Sequence, residues 1–354
     1  MTRCYVIAEA GVNHNGQLNL AQALVDAAAD AGADAVKFQT FRADALALDS
    51  APKAAYQDCQ IGAETSQHAM LKALELPEDW HAALQARAQA RGIDFLSTAF
   101  DFASLGFLET LDLPFYKVPS GELTNAPLLW RFARTGRPLV VSTGMATLSE
   151  VEQALAVIAH ARAHACEPHA MVEVWQAWAD ARGQADGVTL LHCTSLYPTP
   201  VAEANLAAMG TLAAAFGLPV GYSDHTQGIT VPLAAVALGA RVIEKHLTTD
   251  RSLPGPDHAA SLEPAEFAAM VHAIRDVCAA MGQAAKVPQP GEWDTRRAAR
   301  QRLVAARDIP AGAVLTREDL TTARAAQGRV AANLWDMIGQ TTTRPHARGD
   351  GIGP

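Results

Sequence analysis

Residues 19–40 read NLAQALVDAAADAGADAVKFQT, and this stretch contains the unit from which most of the chain is built. Ala21, Leu24, Val25 and Ala28 recur three and four apart while Gln22, Asp26 and Asp30 fall opposite them, so residues 19–31 predict an amphipathic helix. Gly32 then ends the helix, because a residue without a Cβ takes the left-handed conformation at little cost. Ala33–Thr40 follows as a short strand whose apolar start gives way to Lys37 and Gln39.

The same unit recurs outward in both directions. Tyr5–Gly11 precedes it, and Ile93–Phe100, Phe115–Gly121, Pro138–Met145, Val188–Ser195, Pro219–Thr226 and Arg241–Thr248 follow as strand candidates. Gly92, Gly136, Gly217 and Gly239 stand where a helix must stop before the next strand, and Thr147-x-x-Glu150 forms a capping box ahead of Val151, Ala154, Leu155 and Ile158. The strand cores are nearly continuous in apolar residues, as parallel strands covered on both faces require. Eight β-α units in series predict a closed (β/α)8, or TIM, barrel. The rival is an open doubly wound sheet, but Gly11-Val-Asn-His-Asn-Gly16 is too sparse in glycine for the fingerprint that sheet usually carries.

The barrel is expected over residues 1–283, with 161–187 read as a helix-compatible insertion of no assigned function. Residues 284–300 read as a linker that includes the Pro/Gly-rich KVPQPGE at 286–292. Residues 301–354 read as a small, turn-rich β module, with strand-like Arg302–Ala306 and Ala313–Leu315 and a short helix near Leu334–Ile338. A module of this size is marginal unless it docks on something.

Across 354 residues the chain is 49% hydrophobic and 18% charged with a net charge of −9, which suits a globular protein and excludes a general nucleic-acid surface. No apolar run approaches the ~18 residues of a membrane span, and MTRCYVIAEAG lacks the apolar core of a signal peptide. Cys4, Cys59, Cys166, Cys193 and Cys278 are scattered and read as reduced thiols in a cytoplasmic protein.

Chemistry on such a barrel sits where strands end. Here the strands turn polar at those ends: Glu9 with Asn13-His14-Asn15, Lys37 with Gln39, Ser97-Thr98, Lys117 with Ser120 and Glu122, Ser142-Thr143, His192 to Tyr197, Ser223 to Thr226, and Glu244 to His246. Polar strand ends are ordinary, and a lone buried histidine is usually a hydrogen-bonded core residue. Two histidines closing adjacent strands, His225 and His246, make a metal pair that leaves positions open for water and substrate. No cysteine lies near, which favours manganese or a similar divalent ion. Ligating imidazoles must be neutral, so metal affinity is expected to decline below about pH 6.5. Lys37, Thr98, Lys117, Ser120, Ser142 and Ser223 supply fixed cations and hydroxyls suited to a phosphorylated anion.

The stretches IAEAGVNHNG (7–16), GADAVKFQT (32–40), YKVPSGE (116–122), LHCTSLYPTP (191–200), GYSDHT (221–226), VIEKHLT (242–248) and PGPDHAASLEP (254–264) resemble those of the bacterial sialic acid (nonulosonate) synthases. The last ~55 residues resemble the antifreeze-like (SAF, β-clip) domain that ends this family. The resemblance implies condensation of phosphoenolpyruvate with N-acetylmannosamine, or with 2,4-diacetamido-2,4,6-trideoxymannose, by C–O cleavage. It implies metal at His225 and His246 with Glu244 behind them, phosphoenolpyruvate at the six residues above, and water handling by Glu122. It further implies sugar contacts from Glu9, Gln39, Tyr197 and Asp257, and a domain-swapped homodimer in which Arg324 reaches the partner's N-acetyl group. Arg324 is followed by Ala325-Ala326 where the family usually has Pro-Gly, and Ser195 stands where some members have asparagine. Other readings are a phosphoenolpyruvate-dependent synthase of related keto-deoxy sugar acids, a metal-dependent aldolase or hydrolase, and a non-catalytic carbohydrate-binding protein.

Overall fold

A computed structural model describes residues 3–53 and 65–353. Cys59 lies outside them; Cys4, Cys166, Cys193 and Cys278 are free thiols. The chain divides into two compact units, residues 1–282 and 283–354.

The first unit is the (β/α)8 barrel. Its strands are β1 (Tyr5–Gly11), β2 (Ala35–Thr40), β3 (Asp94–Ala99), β4 (Tyr116–Val118), β5 (Leu139–Ser142), β6 (Val188–Cys193), β7 (Val220–Asp224) and β8 (Val242–His246). They hydrogen-bond in the order β3-β2-β1-β8-β7-β6-β5-β4, with every ladder parallel, and β3 and β4 pack side by side to close the cylinder. The open-sheet alternative is thereby excluded.

The helix Leu18–Asp30 buries Ala21, Leu24, Val25 and Ala28, the four residues of the expected stripe. Burying one such leucine contributes roughly 1.5–3 kcal/mol. The capping box also forms: Thr147 Oγ1 accepts from the Glu150 amide at 3.3 Å and the Glu150 carboxylate accepts from the Thr147 amide at 2.7 Å. The 161–187 stretch contains the tail of the helix Leu148–Ala163 and a second helix, Met171–Asp180, which buries Val174, Ala177 and Trp178.

Inside the cylinder the period-two alternation of strands builds layers. Ile7, Ala35, Leu96, Val140, Leu191 and Val242 form one apolar layer, with Tyr5 and Phe115 packed against it. Gly221 completes that layer, where a Cβ would come within 2.4 Å of the Val242 carbonyl. Two residues further along the strands stand Glu9, Lys37, Thr98, Lys117, Ser142, Cys193, Ser223 and Glu244. The barrel is therefore plugged by hydrocarbon at the amino ends of its strands and polar above.

In the second unit, β9 (Arg302–Ala305) pairs antiparallel with β10 (Leu320–Ala323). Leu303, Ala305, Ile309, Leu315, Leu320, Met337 and Ile352 make its small core. The expected strand at Ala313–Leu315 is reduced to a bridge between Val314 and Thr341, and a helix, Trp293–Ala299, occupies the end of the stretch read as a linker. The short helix Leu334–Met337 forms as expected. Among the described residues no helix is long and apolar enough to cross a membrane.

Candidate active site

A cavity of about 460 Å³ opens above the apolar layer. Its floor is a charge cluster. Lys37 and Lys117, only 2% and 6% exposed, point into it from β2 and β4. Lys37 Nζ lies 2.6 Å from Glu9 and 3.6 Å from Glu244, and donates to Thr98 Oγ1 at 3.1 Å. Lys117 Nζ lies 3.4 Å from the other Glu244 oxygen, which also accepts from Ser223 Oγ at 3.0 Å. Glu244 thus bridges both lysines.

Burial works against every charge here, and the partners decide the outcome. For Glu244, Lys117, Lys37 and the Ser223 hydroxyl outweigh burial and hold its carboxyl at about 2. For Glu9 burial prevails over Lys37, and the carboxyl is raised. Burial would also discharge Lys37, but Glu244 and Glu9 together keep its ammonium protonated.

Hydroxyls complete the floor. Ser142 Oγ is buried without a hydrogen-bond partner, a donor held ready for an oxygen that has to come from elsewhere. Ser120 Oγ accepts from the Gly144 amide at 3.0 Å and contacts Cys193 Sγ at 3.1 Å. A Cβ on Gly144 would fall 2.3 Å from Ser195 Oγ and 2.6 Å from Cys193 Sγ, so any larger residue would push these side chains out of their present positions.

One step above the floor stand the two imidazoles, ring centroids 5.5 Å apart. His225 Nδ1 lies 2.7 Å from the Thr194 carbonyl. A carbonyl only accepts, so Nδ1 carries the proton and the Nε2 lone pair is free. His246 Nδ1 is buried without a hydrogen-bond partner. Burial holds His225 at about 4 and, helped by the neighbouring His225 and Lys37, holds His246 well below the usual histidine value, so both rings are neutral. Among the described residues no group of three or more His, Cys, Asp and Glu side chains is arranged as a metal site. An orphaned nitrogen beside a second free lone pair nonetheless fits a divalent ion that takes two protein ligands and fills its other positions with water and substrate.

Tyr197, whose bond to Pro198 is cis, lays its ring 4.1 Å from that of His225. Gln39 Nε2 donates to Glu9 at 3.0 Å, and Asp257 lies 3.7 Å from His246. Burial, reinforced by Glu9 and opposed by Lys37, raises the Asp257 carboxyl to about 7.

This has a measurable consequence. In the unfolded chain Asp257 titrates near about 3.9, so between that value and about 7 the folded, metal-free protein holds a proton that the unfolded chain has released. The associated stability is present at low pH and lost as pH rises through about 7. An Asp257→Asn variant is expected to melt several degrees above the parent at pH 8, with the gap narrowing toward pH 5. A constant gap across that range would show that Asp257 ionises freely.

The cavity thus collects Glu9, Lys37, Gln39, Thr98, Lys117, Ser120, Ser142, Tyr197, Ser223, His225, His246 and Asp257. Glu122 is not in its lining: Pro119 ends β4, residues 120–122 turn in a 3-10 helix, and the Glu122 carboxylate accepts from Asn125 Nδ2 at 2.6 Å. Arg324 belongs to the second unit, exposed directly after β10. Part of the lining is apolar. Val12, Met70, Leu74 and Phe100 form it, supplied partly by the helix Gln67–Ala73, and apolar side chains of that kind carry no signal distinguishing them from core.

Comparison with known proteins gives this geometry a context. The NeuB family model matches residues 24–286 and the SAF domain model residues 300–354. The chain is 45% identical to an N,N'-diacetyllegionaminic acid synthase of Legionella pneumophila, covering 95% of this chain and 89% of that one. It is 32% identical to the N-acetylneuraminate-9-phosphate synthase of Homo sapiens, covering 95% and 88%. Among solved structures it is similar to an N-acetylneuraminic acid synthetase of Leptospira borgpetersenii, at 33% identity and a TM-score of 0.68, covering 83% and 90%.

Proposed function

The chain belongs to the NeuB family, and from that premise we propose that it joins phosphoenolpyruvate, water and an N-acetylated mannosamine-type aldehyde into a nonulosonate, releasing phosphate. The observation that carries the reading is vertical order in one cavity, with two lysines and a ring of hydroxyls at the floor and two neutral imidazoles one level above.

Phosphoenolpyruvate takes the floor. Its phosphate and carboxylate draw on Lys37, Lys117, Thr98, Ser120, Ser142 and Ser223, and the ammonium groups exchange part of their contact with Glu9 and Glu244 for the ligand. Held there, carbon 3 of the enol faces the sugar aldehyde, and a new bond forms between carbon 3 and the aldehyde carbon. Water adds at carbon 2 and gives one proton to the former aldehyde oxygen. Then the bond from carbon 2 to the bridging oxygen breaks as the new hydroxyl becomes the ketone, and phosphate departs with that oxygen and the second proton. A divalent ion, manganese or one like it, held by His225 and His246 would polarise the aldehyde oxygen as a Lewis acid. Glu9, Gln39, Tyr197 and Asp257 orient the sugar. The resemblance gives the attacking water to Glu122, which lies outside the cavity lining, while the carboxylates lining it among the described residues are Glu9, Glu244 and Asp257. The higher identity to the legionaminic acid synthase supports 2,4-diacetamido-2,4,6-trideoxymannose as acceptor, with N-acetylmannosamine second. The remaining part of the proposal is a homodimer whose exchanged SAF domains bring Arg324 to the partner's sugar, which would also stabilise so small a module.

Phosphate release is expected only when phosphoenolpyruvate, acceptor and divalent ion are all present. With 18O in the bridging position, the label should leave in the phosphate. Label retained in the sugar acid would exclude this bond cleavage, and turnover without phosphoenolpyruvate would point to an aldolase or hydrolase instead.

A further inference from the structure

Immediately before each metal-pair histidine stands a charged residue that faces away from the cavity. The register pairs Ser223 with Glu244 and Asp224 with Lys245, so alternation sends Ser223, His225, Glu244 and His246 inward and Asp224 and Lys245 outward. Asp224 and Lys245 are both 0% exposed. Lys245 Nζ lies 2.6 Å from Asp224 Oδ2 and also donates to the Thr226 carbonyl, while Asp224 Oδ1 accepts from the Thr226 amide at 3.0 Å and its hydroxyl at 2.9 Å. These contacts tie β7, the turn that leaves it and β8 into one knot, with His225 at its centre and His246 one residue from Lys245.

A buried ion pair is a poor way to gain stability, since well-packed hydrocarbon of similar volume commonly does as well or better. What it adds is direction, because the two strand ends must keep one register and one turn geometry to satisfy it. Hydrophobic contact would tolerate a slide that separates the imidazoles.

We propose that the Asp224–Lys245–Thr226 knot is the positioning device of the metal site, holding the ends of β7 and β8 so that His225 and His246 converge on one ion. This rests on the reading of those histidines as ligands. The test is the Mn2+ affinity of the full-length protein by calorimetry, set beside the melting temperature of the chelated form. The double variant Asp224→Asn/Lys245→Met removes both charges together, and Asn keeps an acceptor for the Thr226 amide, so no buried charge is stranded. Its Mn2+ Kd is expected to rise roughly 10- to 100-fold, with the metal-free melting temperature within about 3 °C of the parent, a split that a purely structural role would not produce. A Kd within twofold of the parent, or a loss of affinity matched by a collapse in melting temperature, would overturn the proposal. Should the double variant not fold, Thr226→Val, which removes one donor to Asp224 at nearly constant volume, decides: a several-fold rise in Kd supports the knot and an unchanged Kd removes it. A parent protein that binds no Mn2+ would instead refute the reading of the histidine pair.

Discussion

His225→Ala and His246→Ala are each expected to lower kcat/KM by ~10³-fold or more in a phosphate-release assay with saturating Mn2+. Lewis-acid activation of a carbonyl supplies several kcal/mol, and each ~1.4 kcal/mol lost is tenfold in rate. Phosphoenolpyruvate binding should be nearly unaffected in both variants, since the groups proposed to bind it lie one layer below. A variant keeping a tenth of the parental activity would mean that the imidazoles do not hold the ion. The pH profile sharpens the test. An isolated histidine would lose metal below about pH 6.5, but burial keeps His225 neutral down to about 4 and holds His246 well below the ordinary histidine value. Protonation competes with metal only below those values, so Mn2+ affinity should stay level from pH 7 to about pH 5 and fall beneath that. A midpoint at pH 6.5 would show rings far more hydrated than the structure has them.

Lys37→Met should damage both stability and binding. It strands Glu9 and leaves Glu244 with Lys117 as its remaining cation, and both carboxylates are buried and face one another across the ammonium. Removing one partner of a buried ion pair costs about 3–5 kcal/mol, and part of this is recovered if Glu9 takes up a proton. Adding Glu9→Gln removes one stranded charge and should restore much of the melting temperature, yet neither variant should bind phosphoenolpyruvate in calorimetry. That divergence separates the ion pairing of Lys37 from the anion binding proposed for it. Lys37→Met with parental melting temperature and phosphoenolpyruvate KM would displace the anion site from the floor.

The barrel was legible because its pattern is redundant. Eight apolar runs, each closed by polar residues and preceded by a glycine or a polar turn, specify a period and a face independently of one another. The floor and imidazole layers were legible for the same reason, since residues two apart on a strand share a side. Legibility stopped where the chain leaves the strands. Glu122 lies only five residues beyond Lys117, but Pro119 and the following 3-10 turn break the alternation, and Asn125 then holds its carboxylate. The apolar wall at Met70 and Leu74 gave no polar signal, and β10 escaped notice because two of its four residues are exposed threonines with no alternating hydrophobic partner. The bridging position of Glu244 between two lysines of distant strands is a tertiary fact that no local spacing encodes.

The hydrocarbon plug beneath the lysines has a kinetic corollary. Because hydrocarbon fills the barrel below the lysines, reactants and products reach the floor from above it and must queue. Whatever reaches the deepest seat has to arrive before the molecule that covers it, and cannot depart until the cover has gone. Under the proposed roles the enol ester loads before the sugar, and inorganic phosphate is the last to escape.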